Sequence, residues 1–486
     1  MLFLPLPALI APAQLAPKPA PLAPKPADLH GARLIGDKVI TAENLRGYLT
    51  FIASDALQGR DTPSQGLDVA AEFLAFHLKK WGLKPGGDKG TFFQKIPMIK
   101  MGFDETKSSL TIAETAVKFG ESFAIERGNG SATGDLVSIT DDLGSADVKG
   151  KIVLLGPEVR DTVLPKVLEA GAVAVLRTST NQSWWRRNAV QASRRAGWRM
   201  ERTPTPEPPT AVPVVMLSPE ASAQALLSVG KSVSVTVQAK IERIYTQNVV
   251  AIAEGSDPKL KSEFVAVGAH YDHVGTGGRG TDTIFNGADD DGSGTVAILS
   301  MAEAAVQARP KRSLLFVWHA GEEKGLQGSS YFVDTPTVPI GQIVAQLNID
   351  MIGRSKPAGD TKPANKDLSG PNSIYVIGTT MMSTELGKLI HETNAKYLKL
   401  DYDPKYDAPD DPNRFFYRSD HFNYAKKGIP VCFWFDGVHE DYHQVGDEVS
   451  KIDFNKMEKI TRTIFLTAIN VGNLPQRPKV DKPLNR

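Results

Sequence analysis

Apolar positions along this chain follow two rhythms. Between 66 and 83, Val69, Phe73, Leu74, Leu78 and Trp81 recur at three- and four-residue steps, which predicts a helix. Gly82 closes it, and Pro85-Gly86-Gly87 forms the exit turn. A second helix starts near 40–45, with Thr41 as its cap. From about 130 the texture shifts to short β-type runs at 136–139, 151–155, 172–176, 212–217 and 233–237, with helical segments at 163–170 and 219–229. From Asn248, strands at 248–252, 263–267, 313–318, 343–349, 373–377 and around Cys432 alternate with helices at 294–307 and 453–471.

Runs that are apolar on both faces belong to a sheet covered by helices on both sides. The expected fold class is therefore α/β, a mixed, mostly parallel central sheet flanked by helices and interrupted by a smaller β-rich unit. Residues 38–125 and 246–475 are expected to form the main body, 126–245 the insert, and 476–486 a polar tail. The segment 184–209 breaks the pattern with clustered Trp, Arg and Pro. It reads as a solvated loop, with substrate gating or partner binding as the sharper alternative.

The remaining composition narrows the class. A chain of 486 residues is long enough for two packed units. Its apolar and charged fractions, 41% and 23%, are those of a globular protein. A net charge of +1 gives no global field for nucleic acid or an acidic membrane. One cysteine, Cys432, excludes an internal disulfide. Residues 1–37 read as a candidate signal segment and Pro-rich linker: 1–16 is apolar, Ala11-Pro12-Ala13 resembles a cleavage site, and two APKPA copies follow at 16–20 and 23–27. That reading places the product outside the cell or in the periplasm, and otherwise in the cytoplasm. No later run reaches the roughly 18 uninterrupted apolar residues of a membrane span.

The candidate chemistry lies just after the apolar runs, where an open α/β sheet places its ligands. In order come His270-Tyr271-Asp272, Asp289-Asp290-Asp291-Gly292-Ser293-Gly294, Glu322-Glu323, Asp350 and Tyr442-His443. Three carboxylates and two imidazoles can hold two zinc ions, and a further carboxylate can then act as base. Asp272, two residues beyond His270 on an extended chain, shares its face and can accept the spare ring N–H. A calcium loop of the EF-hand type fails, because position twelve counted from Asp289 is Ser300. His273, His319, His421 and His439 lie nearby and read as structural or outer-shell residues.

These blocks resemble the zinc aminopeptidases of metallopeptidase family 28, a family that includes glutamate carboxypeptidase-like enzymes. His-x-Asp, Asp-Asp-x-x-Ser-Gly, Glu-Glu, Asp-Met-Ile-Gly and a late Tyr-His carry the likeness. Phe51 to Arg60 resembles the segment before the catalytic unit, and 126–245 resembles a protease-associated domain. The resemblance implies the zinc-dependent exopeptidase fold and two Zn²⁺, with Mn²⁺ or Co²⁺ as substitutes. It implies Asp290 as the bridge, His270 and Asp350 on one ion, and Glu323 and His443 on the other. It implies a metal-bridging hydroxide, Glu322 as general base, Tyr442 at the oxyanion, and the Arg418 backbone at the amino terminus of a peptide substrate. An aminopeptidase is the leading expectation. A glutamate-releasing carboxypeptidase, a one-metal cyclase-like relative and a non-catalytic receptor are the rivals.

Overall fold

The computed structural model describes residues 28–186, 197–278 and 280–484. The leader and linker expectation for 1–27 lies outside the described residues, as does 187–196 of the Trp/Arg-rich segment. The described residues build one ten-stranded sheet and one seven-stranded sheet.

Four parallel strands form the centre of the larger sheet, in the order Val431–Phe435, Ile343–Ile349, Phe264–His270, Ser313–His319. Antiparallel strands Ala239–Ala253 and Phe93–Phe103 extend one side, and Ser373–Ile377 and Asp401–Asp403 extend the other. Alternate residues serve opposite faces, as pleating requires. Val265, Val267, Ala269, Leu314, Phe316 and Trp318 enter one core, whereas Phe264, Ala266, Leu315 and Val317 enter the other. Helices cover both. Gln65–Trp81, Gly294–Ala308 and Phe454–Asn473 bury apolar residues in the first core, and Gln327–Asp334 and His421–Ala425 bury theirs in the second.

Local signals act as the sequence predicts. Thr41 caps the helix Ala42–Ile52 by accepting from the Asn44 N–H, and Gly82 ends Gln65–Trp81 in the left-handed region. The helical structure starts earlier than 38. Asp28 caps a helix at Leu29–Val39, which buries Ala32, Gly36 and Val39. Gly36 leaves room for the Phe465 ring of the closing helix, where a Cβ would come within 3.2 Å.

The seven-stranded sheet has its own cores and includes Ser109–Ile112 and Thr115–Val117, upstream of position 126. Within the Trp/Arg-rich segment, Arg199–Met200 pairs with Phe93–Phe103 at the edge of the large sheet. That short piece is therefore strand, not free loop. No helix among the described residues is long and apolar enough to cross a membrane.

Candidate metal centre

Four of the five predicted ligands end or follow central strands, and Asp290 lies in the acidic turn Ala288–Ser293 that enters Gly294–Ala308. His270 ends Phe264–His270, Glu322 and Glu323 follow Ser313–His319, and Asp350 follows Ile343–Ile349. Tyr442 and His443 follow Val431–Phe435. The first two crossovers from Phe264–His270 lead to opposite sides of it, so the crevice opens at a topological switch point.

The acidic turn divides its labour. Asp289 Oδ1 accepts the Gly353 N–H at 2.7 Å, and Oδ2 lies 3.2 Å from His439 Nε2. Asp291 accepts the N–H groups of Gly294, Met351 and His270 at 2.9, 3.1 and 3.2 Å. Asp291 also lies within reach of His270 and Asp350. Its oxygens are already engaged by amides, so Asp290 is the better donor to that set. Asp290 Oδ1 lies 3.3 Å from His270 Nε2, and Oδ2 lies 3.1 Å from His443 Nε2. Asp350 Oδ1 completes the first set at 3.7 Å from His270 Nε2, and Glu323 Oε1 completes the second at 3.1 Å from His443 Nε2. All five predicted ligands therefore converge.

Burial would raise the Asp290 pKa, but the imidazoles of His270, His443 and His273 hold it well below the carboxylate range. Burial would likewise lower His443, but Asp290 and Glu323 push it up to about 10. His443 is held at φ +54, a left-handed conformation that costs on the order of 1–3 kcal/mol for such a residue.

Asp272 acts differently from the expected relay. His270 Nδ1 lies 3.1 Å from the Asp272 backbone carbonyl and 3.6 Å from its carboxylate. The carboxylate instead accepts the Glu322 N–H at 3.1 Å. A side-chain relay needs only shared facing. The tight turn after His270 brings the nearer backbone oxygen into reach first.

Glu322, His270, Asp290 and Asp350 line one small cleft. Tyr442 and Arg418 also line it, and the Tyr442 ring stacks on His443 at 4.0 Å. Its apolar wall consists of Met351, Phe415, Phe433, Phe435 and Val438. Burial raises Glu322 well above the carboxylate range. Asp350, Asp420 and Glu323 reinforce this shift, and His270 opposes it.

The donor chemistry fits divalent ions. Asp290 Oδ2 and Glu323 Oε1 are buried with no hydrogen-bond partner, an arrangement that is costly unless a cation faces them. Mixed imidazole and carboxylate donors suit zinc and admit manganese or cobalt.

Residues 248–468 match the profile of Peptidase family M28. This stretch is an M28 peptidase domain. The chain is 28% identical over 283 residues to leucine aminopeptidase 2 of Arthroderma otae, covering 53% of this chain and 52% of that one. It is 30% identical over 260 residues to a probable leucine aminopeptidase of Trichophyton verrucosum, covering 50% and 64%. The chain thus spans about half the length of most of the curated relatives it matches. A solved aminopeptidase from Aneurinibacillus sp. strain AM-1 aligns over 93% of this chain and 98% of its own, at 18% identity and a TM-score of 0.48.

Other residues complete the M28 domain's site. Ser419 donates to Asp350 Oδ2 at 2.7 Å and accepts from Asn348 at 2.9 Å. Asp447 accepts the N–H groups of Asp289 and Asp290. Arg60, fully buried, donates to the carbonyls of Ile52, Tyr271, Asn286 and Gly287 at 2.6–3.0 Å. Arg60 falls inside the quoted Phe51–Arg60 segment and Ser419 follows Arg418, but most of their partners lie tens to hundreds of positions away, where sequence periodicity gives no signal. Of the four histidines set aside, His319 pairs with Asp420 at 3.3 Å, His421 stacks on Phe433 and His439 pairs with Asp289. His273 alone turns towards the ligand set, 3.1 Å from Glu323.

Proposed function

We infer that this protein is a two-zinc exopeptidase, an aminopeptidase that releases N-terminal residues from peptides. Asp290 carries the reading, because its two oxygens face two separate donor sets on either side of one carboxylate. His270 and Asp350 would hold one ion, Glu323 and His443 the other. When bound, such a pair polarises the scissile carbonyl and acidifies water.

The chain's own groups do the rest. Glu322, half-buried beside the donors, takes the proton of the attacking water and delivers it to the leaving amine nitrogen, an effect worth roughly 10²–10⁴ in rate. The Tyr442 hydroxyl donates to the oxygen on which charge develops. The Arg418 backbone is assigned to the substrate's amino terminus. The wall of Phe415, Phe433, Phe435 and Val438 excludes water and receives an apolar side chain. The second sheet, from Ser109 to Val237, is assigned as a protease-associated insert that starts earlier than the expected 126, on a body that begins at Leu29 rather than 38, and export to the medium or periplasm belongs to the same reading.

Purified full-length protein should contain about two zinc ions and cleave leucyl-anilide. It should leave N-acetylated peptides intact, including N-acetylated peptides that end in glutamate. Leucyl substrates should exceed glycyl ones by at least about tenfold, the worth of a filled apolar pocket. Cleavage confined to blocked peptides would defeat the aminopeptidase assignment.

A further inference from the structure

His273 is fully buried, and neither ring nitrogen has a hydrogen-bond partner. Buried polar groups rarely go unused. Its Nδ1 lies 3.1 Å from Glu323 Oε1 and 3.8 Å from Asp290 Oδ2. His443 Nε2 lies 3.1 Å from each of the same two oxygens. Those oxygens are themselves without hydrogen-bond partners. Nitrogens and oxygens this close, yet not aligned with one another, are arranged around a shared point. Four donors at about 2.0–2.1 Å from a tetrahedral zinc stand about 3.3 Å apart, close to three of the four spacings above, and His273, Asp290 and Glu323 offer donor atoms within 4.8 Å of one another.

The surroundings hold the imidazole in place. The His273 N–H donates to the Arg60 carbonyl at 3.2 Å. Gly287 stands at φ +55, and a Cβ there would come within 2.5 Å of the His273 ring. The turn is bare where the ring passes.

We propose that His273 is a metal ligand, its Nδ1 closing a four-donor half-site with Asp290, Glu323 and His443. The proposal rests on the two-zinc reading above. The His270–Asp290–Asp350 half has three protein donors, whereas the His273 half has four, and a five-coordinate ion there would still admit a water. The two ions are therefore held unequally, the His273 half more tightly.

Two measurements on full-length protein test this. In ¹¹³Cd-loaded protein with ¹⁵N-labelled histidine, three imidazoles should show cadmium–nitrogen coupling. Coupling at two only, with two cadmium ions bound, overturns the role of His273 and leaves the metal centre standing. Absence of bound cadmium overturns both. In chelator competition, wild-type protein should release its zinc in two steps separated by at least tenfold. In His273→Phe, which keeps the ring volume, the tighter step should weaken by more than 100-fold, beyond the 10–100-fold expected of an outer-shell partner. An unchanged tight step in folded His273→Phe would overturn the proposal.

Discussion

Asp447 accepts the peptide N–H of Asp290 at 3.0 Å, from 157 positions downstream. The same carboxylate accepts the Asp289 N–H. The bridging residue is thus aimed by its backbone, and both its side-chain oxygens remain available. Asp447→Ala leaves two buried N–H groups unpaired, at about 1–3 kcal/mol each. Urea unfolding should show a loss of about 2–5 kcal/mol, and activity should fall further than stability explains. A variant with wild-type stability and turnover would remove Asp447 from this role.

Glu322→Gln should keep the metals and the fold but lower kcat by about 10²–10⁴. Its metal content and KM should stay close to wild type. Full turnover with both metals confirmed would exclude Glu322 as the proton carrier.

Ser419→Ala removes the hydroxyl that donates to Asp350 and receives Asn348. A ligand released from its support costs about 10–100-fold in metal affinity. The weaker zinc should therefore be stripped at a lower chelator concentration, and excess zinc should restore activity. Identical chelator curves for the variant and the wild type would show that Asp350 needs no such support.

Metal removal should also lower stability, because Asp290, Glu323 and Asp350 then share a buried cleft with no cation. At a hundredfold excess over Kd, each ion contributes about 2.7 kcal/mol. Thermal unfolding with chelator should shift downwards and recover on adding zinc. An unmoved midpoint would mean that the folded cleft carries no metal-linked stability.

Much of the central sheet is legible from sequence because both faces of its strands are buried, leaving long apolar runs at 264–270, 313–319 and 343–349. His270, Glu322 and Asp350 are legible for a related reason, since each ends or closely follows such a run, whereas Asp290 and His443 stand out by their own motifs. What escapes depends on distance along the chain. Ser109–Ile112 joins the second sheet through pairing with Ser232–Val237, more than a hundred positions on. Leu29–Val39 is short and mixed in character, and it is held by the closing helix at the other end of the sequence. His273 looks like a spare histidine until the turn at Gly287 brings it beside Glu323. Asp272 is the opposite case. The residue stood out, but backbone geometry decided which of its oxygens meets the imidazole.

Arg60 belongs to the N-terminal segment, far upstream of the stretch that matches M28, yet its guanidinium gathers the carbonyls of both turns flanking His273. The M28 stretch is consequently not autonomous. Expressed from position 248 onward, it would leave Tyr271, Asn286 and Gly287 without their common donor, and the acidic turn would lose the anchor that keeps it in register with His270.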